Sequence, residues 1–97
     1  MRVLLISYES KATRPDYGKL TAEIKRSPGW LHVHGHTWMI ATEETAAETR
    51  ARLVIAHGRI LPLLVIEVAR HFDGLLRRTA WDWVREHVKS RVVALRD

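Results

Sequence analysis

The stretch RVLLISY, residues 2–8, decides the fold. In an extended chain Val3 and Leu5 fall on one side and Leu4 and Ile6 on the other, because successive side chains of a strand point to opposite faces. A strand with one buried face alternates apolar and polar residues. A strand apolar on both faces is covered on both, as in the interior of a sheet. This pattern predicts an interior strand, and the rest of the chain must supply its neighbours and its covers.

Working outward, ESKATRP (9–15) is a polar loop. Asp16 is a good N-cap, and Tyr17, Leu20 and Ile24 then recur at helical spacing. Pro28 and Gly29 in SPGW (27–30) stop that first helix. WLHVH (30–34) alternates apolar and polar residues, as a strand with one wet face does, and Gly35 marks a turn. TWMIAT (37–42) is β-branched and aromatic, and makes the third strand. Thr42 is expected to cap a second helix with Glu43 and Glu44 in its first turn; the helix runs to about His57, with Gly58 past its end. LLVIEV (63–68) after Pro62 is the fourth strand, and residues 69–78 are irregular. Thr79 is placed to cap a third helix, AWDWVREHV (80–88), with Asp82 near its start. VVAL (92–95) fits either a further strand or a continuation of that helix.

The order is therefore βαββαβ with a C-terminal helix, an α+β ferredoxin-like sandwich. Right-handed crossovers set the antiparallel sheet order as 4-1-3-2. The first strand then lies inside the sheet, in agreement with its two apolar faces. The domain spans residues 1–88, and 89–97 form a C-terminal tail. A chain of 97 residues buries only about 60–65% of its extended surface, so a dimer would add useful burial.

Composition removes several function classes. Without cysteine there is no disulfide framework, zinc knuckle or thiol nucleophile, which fits a reducing cytoplasm. The opening MRVLLISYES has too short an apolar run for a secretory signal, and no stretch approaches the roughly 20 apolar residues that span a bilayer. The five glycines are isolated, so no nucleotide-cradling loop forms. No serine stands in a nucleophile context. The net charge is +5 and is carried by one half of the chain. Residues 1–48 hold six basic and six acidic residues, whereas residues 49–97 hold ten basic and five acidic, nine of the ten being arginine. Arginine forks onto phosphate with paired hydrogen bonds, so a polyanion is the expected partner; a merely solvated surface is the alternative.

This topology gathers Glu9, Lys11 and Arg14, the hairpin histidines His34 and His36, and His57 with Arg59 on one rim of the sheet. Arg26, Arg70, Arg77 and Arg78 are expected on the opposite rim. Lys11, Arg14, Arg59, Arg70, Arg77 and Arg78 are the candidate phosphate contacts. On an unbroken strand His32 and His34 stand roughly 7 Å apart, too far to share one ion without bending. They are expected on a wet face and a hairpin tip rather than in a zinc site. A hard divalent ion such as Mg or Mn needs only one or two carboxylates with water and phosphate oxygens, and Glu9 is the candidate metal ligand. Trp30 and Trp38 are expected in the core or a dimer contact. Trp81 and Trp83, two apart on a helix, are not expected to face one core together. Glu67, inside an apolar strand, is expected to be structural and paired with an arginine.

LLISYES (4–10), DYGKL with Ile24 (16–24), Trp30, TWMIAT (37–42) and LLVIEV (63–68) resemble, in order and spacing, the blocks of the small SinR-family proteins. Those belong with the CRISPR-associated protein-two superfamily, which includes the virulence-associated protein D toxins. The resemblance covers residues 3 to about 87. It implies a ferredoxin-like homodimer in which a C-terminal segment, here Val92–Leu95, extends the partner's sheet. It also implies, in several members, a metal-dependent nuclease with an aspartate at the end of the first strand, two such carboxylates approaching across the dimer axis. Other members only hold duplex DNA for a protein partner. The matching position here is Glu9, whose extra methylene carries the carboxylate about 1.5 Å further out, enough to disturb a site tuned for aspartate; a solvated loop residue is the plainer role.

The expected function is a cytoplasmic homodimer that binds duplex DNA or RNA through its arginines, with Mg- or Mn-dependent endonuclease activity at Glu9 as an extension. The alternative is a non-catalytic protein-interaction or toxin-like regulatory dimer, with Trp81 and Trp83 as the contact.

Overall fold

The fold is seen in a computed structural model that describes residues 1–9, 18–58, 61–69 and 71–96, with side chains through Val88. The elements run β1 (Arg2–Tyr8), α1 (Gly18–Ile24), β2 (Gly29–His34), β3 (Thr37–Thr42), α2 (Ala46–His57), β4 (Leu63–Glu67) and α3 (Arg78–Arg96). The chain is α+β, with a four-stranded sheet ordered β2-β3-β1-β4. Counted from its other margin this is the expected 4-1-3-2, and every pairing is antiparallel.

β1 lies between β3 and β4, with Leu4 opposite Ile40 on one side and Glu67 on the other. Its two apolar faces serve two cores. Leu4, Ile6 and Tyr8 join Trp38 and Ile40 of β3 against Leu20 and Ile24 of α1 and Leu53 of α2. Val3, on the reverse face, joins Leu31 and Val33 of β2 against Ala80, Val84 and Val88 of α3. Those three α3 residues recur every four positions and form one stripe along the helix. Each fully buried aliphatic side chain contributes about 1.5–3 kcal/mol.

The expected caps differ in detail. Thr42 remains in β3, paired with Arg2, so its backbone is extended and cannot begin a helix. The chain turns through Glu43 and Glu44, and Thr45 is the N-cap of α2. Thr45 Oγ1 accepts from Glu48 N at 3.1 Å, while Glu48 Oε1 accepts from Thr45 N at 2.9 Å, a reciprocal capping box. Gly58 ends α2 as expected, at φ 87°, where a side chain would be strained. Asp16 and Tyr17 lie outside the described residues. α3 starts one residue before the expected cap Thr79 and runs through Val92–Leu95, so of the two options for that segment the chain takes the helix. No helix of the described residues is long and apolar enough to cross a membrane.

Trp81 and Trp83 correct the sequence expectation: both are partly buried against the α3 core. They flank its stripe. Trp81 stacks on Phe72 at 6.0 Å between ring centroids, and Trp83 on His87 at 4.0 Å. A ring is wide enough to reach the sheet from either flank of a helix, which helical spacing alone does not convey.

Candidate nucleic-acid interface

The rim at the end of β1 forms as the topology requires. Tyr8 N donates to the carbonyl of His36 in the β2–β3 turn at 3.2 Å, and Glu9 N donates to that of Pro62 before β4 at 3.1 Å. The Tyr8 and His36 rings lie 4.9 Å apart. Glu9 is exposed at this rim. Lys11, Arg14, Arg59 and Arg70 lie outside the described residues.

The histidines separate. A β-bulge between His32 and His34 breaks the register. The His32 ring stacks on Trp38, with centroids 4.2 Å apart and planes 12° from parallel, and its Nε2 lies 2.8 Å from Gly35 O. His36 instead meets Tyr8. Among the described residues no three His, Asp or Glu side chains gather to hold a metal ion. Among the described residues Glu9 belongs to no such group of three, and Mg or Mn there would draw on water and phosphate oxygens beside one or two carboxylates.

Arg77 was expected on the far rim and lies at the hairpin end instead. Its guanidinium donates to Val33 O at 3.1 Å and to His32 O at 2.6 Å. The segment between β4 and α3 can span about 3.3 Å per residue, long enough to cross back over the sheet. α3 accordingly starts at the hairpin end and passes Gly29 at His87. Arg77 and Arg78 are both exposed, and Arg77 is the one engaged by backbone carbonyls.

Arg52 is the basic residue whose role the sequence did not suggest. Its Nε reaches both carboxylate oxygens of Glu44, at 3.2 and 3.0 Å. Nη1 donates to Glu23 O at 2.8 Å and to Glu23 Oε2 at 3.1 Å, and Nη2 to Ser27 Oγ at 3.3 Å. The hydrogen bond from Arg52 holds the Glu44 carboxyl below its ordinary value against the opposing effect of burial, helped by a bond from Thr49. Burial works to lower the Arg52 pKa, but bonds to Glu44 and Glu23 prevail and raise it. Arg52 thus ties α2 to α1. Glu67 has its expected arginine: Arg2 Nε lies 3.8 Å from Glu67 Oε1. Arg26 and Arg85 face Glu23 and Asp82, both at 3.5 Å. Arg50 and Arg78 are exposed and make no ion pair among the described residues.

On the α3-side face of the sheet, β4 carries two exposed apolar side chains. Leu64 and Ile66 of β4 oppose Ser7 and Leu5 on that face and are 55% and 48% exposed, with Phe72 and Leu75 also exposed. No protein-family model, curated protein or solved structure matches the chain.

Proposed function

We propose that this chain is a homodimeric nucleic-acid-binding protein of the CRISPR-associated protein-two-like type, ferredoxin-like in architecture and working in the cytoplasm. The observation that carries this reading is the division among the basic residues. Arg52 and Arg77 serve the fold, while Arg50 and Arg78 face solvent without a carboxylate partner among the described residues. Lys11, Arg14, Arg59 and Arg70 are the further phosphate contacts of the proposal. The bare apolar strip at Leu64 and Ile66 supports a dimer contact, since adjacent exposed leucine and isoleucine on a sheet face favour covering by another surface.

Binding through arginine releases counterions, so affinity for duplex DNA should fall steeply as salt rises. Titration of labelled duplex at several salt concentrations tests this, and a flat response refutes it. Cleavage is an extension of the proposal: it requires Mg or Mn, paired carboxylates across the dimer axis, and loss of activity in Glu9→Gln. Activity that survives Glu9→Gln removes Glu9 from the chemistry.

The second reading, a non-catalytic protein-interaction or toxin-like regulatory dimer, is favoured by the same apolar surface of Leu64, Ile66, Phe72 and Leu75. Trp81 and Trp83 no longer serve as its contact, because both pack against the α3 core. Retention of a defined protein partner, lost in Ile66→Asp, with no nucleic-acid binding at low salt, would favour it.

A further inference from the structure

The margin strand β2 carries a feature that phosphate binding does not use. On the face shared with α1 and α2, Trp30 and His32 stand opposite Ile40 and Trp38 in the register. Three rings thereby form a row. Trp30 lies 5.8 Å from Trp38, and Trp38 lies 4.2 Å from His32. The alternation of β2 puts polar residues at the other positions of this face, so Trp30, 41% exposed, breaks the pattern. One exposed aromatic residue is ordinary, but the surroundings of this one are specific.

Lys25, just past α1, holds its ammonium 5.0 Å from the Trp30 ring centroid and 5.9 Å from that of Trp38. Lys25 makes no ion pair among the described residues. The acidic neighbour Glu23 is neutralised by Arg52 at 3.1 Å and Arg26 at 3.5 Å. The His32 ring is fixed by the contact of Nε2 with Gly35 O. Trp38 Nε1 is buried without a hydrogen-bond partner, so stacking and packing hold that indole in place. The result is a braced aromatic shelf beside an uncompensated cation, at a margin where no further strand is paired.

A ligand for this shelf needs a flat π-face and a negative charge. A quaternary ammonium does not qualify, because Lys25 already places a cation over both indoles. We infer that the Trp30–Trp38–His32 shelf with Lys25 is a subsite for an unpaired nucleotide of a single strand, the base stacking on Trp30 as the Lys25 ammonium swings from over the ring to meet its phosphate. This rests on the nucleic-acid-binding reading and extends it from the duplex to its unpaired ends. Paired bases cover one another's faces, so only an unpaired base offers its own. A free mononucleotide is a poorer fit, since the shelf has one cation and no phosphate-cradling loop.

The test uses the full chain and fluorescence anisotropy with three labelled probes: a single DNA strand of about twelve nucleotides, near the usual span of such sites, an abasic strand of the same length, and the corresponding duplex. The wild type should prefer the base-containing strand over the abasic one by about tenfold, the scale of one stacked base. Trp30→Ala should abolish that preference and leave abasic and duplex binding unchanged, which also shows that the variant is folded. Trp30→Phe should keep most of the preference. Lys25→Ala should weaken both single strands alike. A preference that survives Trp30→Ala while the duplex still binds overturns the shelf and leaves the nucleic-acid reading intact. Failure of the wild type to bind any probe overturns both.

Discussion

Replacing Arg52 with methionine keeps most of the side chain's volume and removes its charge and every hydrogen bond it donates. The carboxylates of Glu44 and Glu23, which both face the same guanidinium at 3.0 and 3.1 Å, are then left as like charges with little water around them. Exposed ion pairs contribute about 0–1 kcal/mol, and breaking a fully buried one costs about 3–5 kcal/mol. The side chains of Arg52, Glu23 and Glu44 are 23%, 18% and 30% exposed, so the cost falls between these limits, at about 2–3 kcal/mol. For a domain of this size each kcal/mol moves the melting temperature by about 4–8 °C. Arg52→Met should therefore melt about 10–20 °C below the wild type. Arg52→Lys should lose about half as much, since lysine restores the charge without the fork. Adding Glu44→Gln to Arg52→Met should recover part of the loss, because the stranded carboxylate is then neutral. Thermal unfolding followed by circular dichroism measures all four proteins. A shift under about 2 °C for Arg52→Met would mean that the network is solvated and that α1 and α2 are held by apolar packing alone.

Three further outcomes are expected. Glu44 has a folded-state pKa below the ordinary 4.5, so its stabilising effect is complete above that value and is lost as pH falls through the lowered folded value; urea midpoints on an acid series should show this limb, and Arg52→Met should flatten it. Thr45→Ala removes one half of the capping box and should cost about 1 kcal/mol in urea unfolding; no loss would mean that α2 does not depend on this cap. Arg77→Ala frees the carbonyls of His32 and Val33 and should cost about 1 kcal/mol, with faster amide exchange in β2 and at the start of α3; unchanged exchange there would deny Arg77 its bracing role.

The parts of the fold that sequence revealed are those with a local signature. Two-faced apolarity placed β1 between two neighbours, and Thr37–Thr42 was legible to the residue from its β-branched and aromatic content. The true cap of α2 also had a signature, because Thr45 and Glu48 form the capping-box spacing whereas Thr42 has threonine three residues on. The Arg52 network had none: Glu23 and Glu44 come from different segments and meet only when α1 packs on α2. The rim was legible because strand directions alone decide which loops meet. The position of Arg77 was not, because the irregular residues after β4 carry no periodicity that gives their direction. The aromatic shelf was not legible: Trp30 was expected in the core or a dimer contact, whereas it is exposed in the protomer, and the nearness of Lys25 is a tertiary fact.

Arg77 also has a consequence for how copies of this molecule can join. A flat sheet with two open margins can add neighbours at both and grow without limit. Here carbonyls of β2 are occupied by a guanidinium from the molecule's own chain, so strand-by-strand growth on that side must first displace it. Adding a strand along that end of β2 would therefore cost both hydrogen bonds of Arg77. A single arginine thus blunts one end of this open margin against the addition of a further strand.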